Sequence, residues 1–367
     1  MDKCIYEILN LIESSGFEAY IVGGYVRDKL LGFSSNDVDI ITNALPKDIY
    51  AMFSKMNAKL ISSYGAVKIK VDEYNIDITT FRKEKDYSNN KPRTIEYCND
   101  LYTDLLRRDF TINSICMDKN SNIIDLLDAR VDLYKQKIYV IGDIEEKFKE
   151  DKSRILRAIR FMVTLNFDLD PNIITYIINN KEDLSKISYD KRKLELSKIL
   201  ISPNVLKFIE FVKKYDLEKY LEIEIKKFIK TPYLIGALSQ IEFNSNYNLS
   251  SKEKYEINVI RHLVNKGNTN KYDIYKYGKY LCINAQIILK KSVNNINKMY
   301  SHLPIKSKSD IAISASEICE ELNTKPSKKI GDILNILENE IINGKLKNDK
   351  QSILDFLKKG GDYIEWF

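Results

Sequence analysis

Over residues 3–15 the apolar positions Ile5, Ile8, Leu9, Leu11 and Ile12 recur at three-and-four spacing, which predicts an opening helix stopped by Gly16. The period then changes. Ala19-Tyr20-Ile21-Val22 is a compact apolar run that meets Gly23-Gly24, and helical spacing resumes over 25–31, so strand, glycine turn and helix are expected in that order. The β-branched runs at 38–42, 67–71 and 76–80 predict further strands, and 46–56 reads as a helix between the first two. Beyond Glu145 the strand pattern fades. The segments 150–165, 191–200, 203–215, 273–300, 330–342 and 351–359 carry apolar residues at helical spacing, and the Asn/Ser-rich stretch 244–251 is the expected inter-domain loop. The pattern describes an α/β first part followed by a helical remainder.

Composition narrows the class. The 367 residues, 44% hydrophobic and 30% charged with only 13 Gly and 7 Pro, suit a soluble globular chain of about two or three domains. Five scattered cysteines with no CxxC pair read as free thiols in a reducing compartment, and two histidines cannot build a His-rich metal site. Asp2 and Glu7 at the start, without a long apolar run behind them, argue against a secretory signal, and no stretch approaches about 18 apolar residues. A cytoplasmic protein with no membrane partner is expected. The net charge of +6 is unevenly spread: residues 1–150 hold 21 basic and 25 acidic side chains, the rest 37 and 27. A mildly acidic head with a basic remainder suits a polyanion partner, as it also suits a lysine-rich solvated surface.

Four motifs carry chemistry. Gly23-Gly24 at a strand end lets backbone N–H groups approach an anion, and Arg27 three residues on can fork onto phosphate oxygens. Asp37 and Asp39 share one side of a strand, because side chains alternate with period two; two converging carboxylates call for a cation, and Mg²⁺ is the usual one beside phosphates. Asp77, in another β run, is a candidate third carboxylate for a two-metal site. The adjacent Arg107 and Arg108 enter an apolar stretch, where a guanidinium can neutralise charge developing on a triphosphate. Finally, on a helix read from Glu150 to Phe161, Asp151 and Arg154 are neighbours, followed by Arg157 and Arg160; a carboxylate beside a guanidinium complements a nucleobase edge. Each motif also has a plain reading: a tight turn, solvated acids, a surface ion-pair cluster, an i,i+3 helix pair.

Taken in order, GGYVRDKLLG with NDVDI, RRDFTIN, EDKSRILRAIRF and SYDKRKLELSKIL resemble the motifs of the class II tRNA nucleotidyltransferases, the CCA-adding enzymes, and of the related bacterial poly(A) polymerases. The resemblance covers nearly the whole chain. It implies an α+β fold: a polymerase-β-like head over 1–138, then an all-helical neck (139–205), body (206–300) and tail (301–367). It implies template-independent addition of C, C and A to the tRNA 3′ end from CTP and ATP with release of pyrophosphate, the body and tail holding the acceptor arm. It assigns Asp37 and Asp39 to Mg²⁺, and Gly24, Arg27 and Arg108 to the incoming nucleotide. Asp151 and Arg154 become the base-selecting pair, with Arg157 and Arg160 in support. CC-adding, A-adding and poly(A)-polymerizing enzymes share these motifs, and an RNA-binding protein without activity would keep the basic remainder. Two segments depart from the family pattern: 87–93, where an acid and an arginine usually flank a proline, and 126–133, where a glycine pair is usual.

Overall fold

The computed structural model describes residues 2–61, 65–88 and 91–358. The chain divides into two compact units, Met1–Ile223 and Glu224–Phe367. In the first, a mixed sheet contains β1 (Ala19–Val22), β2 (Asp37–Thr42), β3 (Lys59–Ile61), β4 (Ala66–Val71) and β5 (Tyr74–Thr80). A separate hairpin pairs β6 (Arg82–Ser88) with β7 (Lys91–Tyr97), and the short β8 (Cys116–Met117) and β9 (Ile123–Ile124) complete the sheet in the order β3-β4-β5-β2-β1-β8-β9. The opening helix Lys3–Ser14 buries Ile5, Ile8, Leu9 and Ile12, the face its periodicity marked. Under the sheet Val22, Ile41, Phe81, Leu105 and Cys116 form one apolar cluster.

Register does the positioning. β1 runs antiparallel to β2 with Val22 opposite Asp39, and β2 runs parallel to β5 with Asp39 opposite Asp77 and Asp37 opposite Asn75. The end of β1 therefore delivers Gly23 beside Asp39. Gly23 has φ +79° and ψ −136°, which only glycine adopts without strain, and it starts the helix Gly24–Leu30.

The helical part of this unit departs from expectation at one point. The periodicity over 150–165 reads as a single helix, but the chain breaks after Ile144–Glu150: Asp151 is extended (φ −142°, ψ 101°) and the next helix is Ser153–Thr164. The break has a local cause, since Asp151 Oδ1 accepts from Ser153 N at 2.9 Å and Ser153 Oγ at 2.6 Å, and a carboxylate so engaged caps the new helix. In the segment without the glycine pair, Asp128 stands at φ +52° before the helix Ala129–Tyr134.

The second unit is built on helices, among them Ser251–Lys266, Lys271–Ile288, Asn294–Ser301 and Lys328–Ile342. The apolar pattern over 273–300 is split twice, by Gly278 at φ +82° inside the first of its helices and by the turn after Ile288. The stretch 244–251 is not where the chain divides. Tyr247 there is buried against Phe243, and Ser250 forms a capping box with Glu253 that starts the next helix, so its polar residues serve a turn and a cap inside the unit. Among the described residues no helix is long and apolar enough to cross a membrane.

Close packing in this unit hinges on Gly236, in the helix Leu234–Leu238. A Cβ there would lie 2.7 Å from Thr231 Oγ1 and overlap the Asn284 side chain. Gly236→Ala is expected to destabilize the unit by about 2–3 kcal/mol, the cost of an overpacked site. A urea unfolding midpoint equal to wild type would refute that packing.

Candidate active site

A cavity of about 590 Å³ in the first unit gathers most of the residues picked from sequence: Gly24, Arg27, Asp39, Arg108, Asp151, Arg154, Arg157 and Arg160 all line it. Asp37 and Asp77 line a second cavity of about 610 Å³ that shares Asp39 with the first and carries Lys59, Lys68 and Lys70. The carboxylate of Asp39 thus faces both spaces.

The floor of the first cavity is the meeting of Gly23, Asp39 and Arg108. A Cβ on Gly23 would stand 3.4 Å from Asp39 Oδ2 and 3.7 Å from Arg108 Nη1, so a side chain would fill the space between them. Arg108 reaches the buried Asp104 at 3.4 Å, yet its Nε is buried with no hydrogen-bond partner among the described residues. A buried guanidinium N–H without an acceptor is costly, and an anionic ligand would satisfy it. Arg27 is held flat nearby: Nη1 donates to Asn113 at 2.7 Å, Nε and Nη2 donate to Asp28, and the guanidinium lies 5.1 Å from the Phe161 ring centre.

Solvent reaches Asp39 through the cavities, but the protein around it is dense. Burial pushes its carboxyl above the usual carboxylate range; Arg108 opposes that, and Asp77 and Asp37 add to it. No hydrogen bond reaches its carboxylate among the described residues. Asp37 accepts from Asn75 Nδ2 at 3.0 Å, and Asp77 is engaged by Lys68 Nζ at 2.5 Å. Lys68 is thus a cation already beside Asp77, and no group of three or more His, Cys, Asp or Glu is arranged for a metal among the described residues. Two carboxylates next to a phosphate-sized space is the donor set of a hard divalent ion that takes its remaining ligands from phosphate and water.

Asp151 and Arg154 do not touch as a helix pair. Asp151 faces Lys191 Nζ at 3.3 Å, while Arg154 Nη1 donates to Glu150 at 2.5 Å and to the Lys147 carbonyl at 2.8 Å. Arg154 Nη2 also reaches the Tyr87 hydroxyl at 3.4 Å, and Tyr87 in turn donates to Glu84 at 2.7 Å, so the β6–β7 hairpin holds the guanidinium from above. These contacts engage three of the five guanidinium donors. Asn89 and Asn90 lie outside the described residues. Arg157 and Arg160 stand on the cavity wall already paired, with Asp109 and Glu195 at 2.5 Å each. Burial would raise Asp109, but Arg157, Asn113 and the Phe110 N–H together hold it below the usual carboxylate range.

Sequence reasoning passed over Gly23 as a close neighbour of Asp39, and it passed over Asn113, Lys191, Tyr87 and Glu84. Only Gly23 left a readable signal, being half of a glycine pair. The others act across long sequence separations.

Comparison with known proteins follows this geometry. Residues 19–139 match the poly A polymerase head domain, and residues 243–357 match tRNA nucleotidyltransferase domain 2, so the fold is that of a nucleotidyltransferase. The CCA-adding enzyme of Ligilactobacillus salivarius is 33% identical over 385 residues, covering 96% of this chain and 95% of that protein; that of Staphylococcus aureus is 29% identical over 396 residues, covering 97% and 98%. The crystal structure of the Bacillus stearothermophilus CCA-adding enzyme in complex with CTP aligns over 98% of both chains with a TM-score of 0.81 and 25% identity. The chain belongs to the family of CCA-adding enzymes.

Proposed function

We propose that this protein adds C, C and A to the 3′ end of tRNA from CTP and ATP, releasing pyrophosphate. The observation that carries the reading, beside family membership, is the space between Gly23, Asp39 and the orphaned Arg108 Nε, which suits a triphosphate next to a carboxylate pair. Asp37 and Asp39 would hold Mg²⁺, which when bound lowers the pKa of the primer 3′-hydroxyl and neutralizes charge on the triphosphate. Arg108 donates to the triphosphate, and Gly24 and Arg27 shape and charge the wall beside it. The second cavity takes the RNA 3′ end. Its lysines suit a phosphodiester backbone, and its shared Asp39 brings the hydroxyl to the α-phosphate.

Base choice falls to Asp151 and Arg154, one an acceptor and the other a donor fork, with Arg157 and Arg160 fixing the wall through their ion pairs. Division into a head (1–138), neck (139–205), body (206–300) and tail (301–367) assigns catalysis to the first two and tRNA binding to the others. The cysteines of the described residues, none in a disulfide, support a cytoplasmic setting.

Primer extension tests the proposal, using tRNA transcripts ending before the CCA, after C and after CC, with CTP, ATP or both plus Mg²⁺. Ordered addition that stops after CCA is expected. Stopping at CC, adding A alone, running on into a poly(A) tail, or giving no extension overturns it. In the same assay Arg154→Ala is expected to lower the kcat/KM discrimination between CTP and ATP by about tenfold or more, the worth of a bidentate base contact. Unchanged discrimination would remove Arg154 from base choice.

A further inference from the structure

Among the described residues that line the first cavity, only Leu194 and Phe161 carry large apolar side chains. Phe161 is buried, and the guanidinium groups of Arg27, Arg157 and Arg160 stand 5.1, 5.7 and 3.9 Å from its ring centre, so its ring is already covered. Leu194 is different. It lies in the helix Tyr189–Leu200, whose apolar residues Leu196, Ile199 and Leu200 are buried, and it stands about 200° round the helix from Leu196. At 55% exposed it holds no part of the core. Its flanks are fixed. Lys191, one turn before it, donates to Asp151 Oδ1 and to Ser153 Oγ, each at 3.3 Å, and Glu195, next in the chain, accepts from Arg160 Nε at 2.5 Å. An anchored helix therefore carries one open apolar side chain into a cavity otherwise walled by charged and polar groups, glycine and the covered Phe161.

A leucine on an open surface needs no explanation, but this one shares its space with Asp151 and Arg154. A nucleobase has a polar edge and two weakly polar faces. Hydrogen bonds from a carboxylate and a guanidinium hold the edge in its own plane and leave the ring free to tilt out of that plane. An apolar group packed on one face stops the tilt and takes that face out of water. We propose that Leu194 is the platform on which the base of the incoming nucleotide lies, while Asp151 and Arg154 address its edge. The contact does not choose between bases, since cytosine and adenine both present a flat face. Adenine, with two rings, covers more of the leucine and gains more from it. The inference rests on CTP and ATP being the substrates.

Calorimetric titration of the full-length protein with CTP, ATP and inorganic tripolyphosphate, each with Mg²⁺, tests the platform. Tripolyphosphate keeps the anionic chain of the nucleotides and has no base. Leu194→Ala is expected to weaken ATP binding about fivefold and CTP binding about threefold, with tripolyphosphate binding within about 1.5-fold of wild type. Leu194→Met, an apolar side chain of similar volume, is expected to bind all three as wild type does. Both variants are expected to keep the wild-type thermal unfolding midpoint, because the side chain is mostly in solvent. Unchanged affinity for both nucleotides in the alanine variant overturns the proposal, as does an equal loss for tripolyphosphate or a lowered midpoint. A loss seen only in tRNA affinity would set Leu194 against the RNA 3′ end and overturn it too. Failure of the wild-type protein to extend tRNA overturns the functional reading instead, and the two results are read separately.

Discussion

Asp39→Ala is expected to lower nucleotide addition by at least about 1,000-fold, about 4 kcal/mol of transition-state stabilization, while affinity for tRNA changes by less than about threefold. Asp39 is the residue shared by the two cavities, and no hydrogen bond reaches its carboxylate among the described residues. Its chemistry is therefore available for a cation and is not spent on holding the fold. The basic stretch 271–308 lies in the other compact unit, so RNA binding there is expected to be independent of this carboxylate. Folding stability gives an independent readout. Burial and the neighbouring Asp77 and Asp37 make the ionized Asp39 unfavourable, with Arg108 in partial opposition, so its removal is expected to leave the unfolding midpoint unchanged or raised. Primer extension and thermal unfolding on one preparation check both statements. Activity within tenfold of wild type would overturn the cation site, and a large drop in the midpoint would show that Asp39 is structural.

Arg192→Ala is expected to destabilize the first unit by about 3–5 kcal/mol. Arg192 is 1% exposed, the largest fully buried side chain among the described residues, in the helix Tyr189–Leu200. Its guanidinium donates to the carbonyls of Ile187 at 2.8 Å, Leu221 at 3.2 Å and Ser185 at 3.4 Å, and to Glu222 at 3.1 Å. It also lies 4.2 Å from the centre of the Tyr189 ring, whose hydroxyl donates to the same Glu222. Truncation strands the buried carbonyls of Ile187 and Leu221, each costing about 1–3 kcal/mol, and leaves a cavity. Lysine brings one ammonium in place of a planar fork and is expected to recover little. Because Lys191 and Glu195 on this helix line the first cavity, loss of activity should track unfolding as temperature rises. Denaturant unfolding decides the matter, and a loss below about 1 kcal/mol would overturn the clamp.

Much of this is legible without coordinates, and the limit has a physical location. The helix Lys3–Ser14, the strands around Val22, Asp39 and Ile78, and the turn at Gly23 follow from short-range rules: the alternation of side chains on a strand, the spacing on a helix, and the backbone freedom of glycine. Those rules also place Asp37 and Asp39 on one side of a strand. They fail at Asp151, where the apolar spacing runs on as if the helix were continuous and a side-chain oxygen captures the Ser153 amide instead. They fail again at 244–251, because Asn and Ser serve equally in linkers, turns and caps.

Sequence alone thus determined the kind and order of the elements and the residue types suited to phosphate, cation and base, since each depends on neighbours within a few positions. Only the tertiary structure decided which of them share a space. The register of β1 on β2 sets Gly23 beside Asp39, and the fold brings Arg108 to the same point with its Nε unpaired. The same holds for Lys68 pairing with Asp77, Tyr87 reaching over Arg154, and Tyr233 pairing with Tyr280. Such contacts close loops of many residues, and their energies come from burial and geometry, for which local sequence carries no signal.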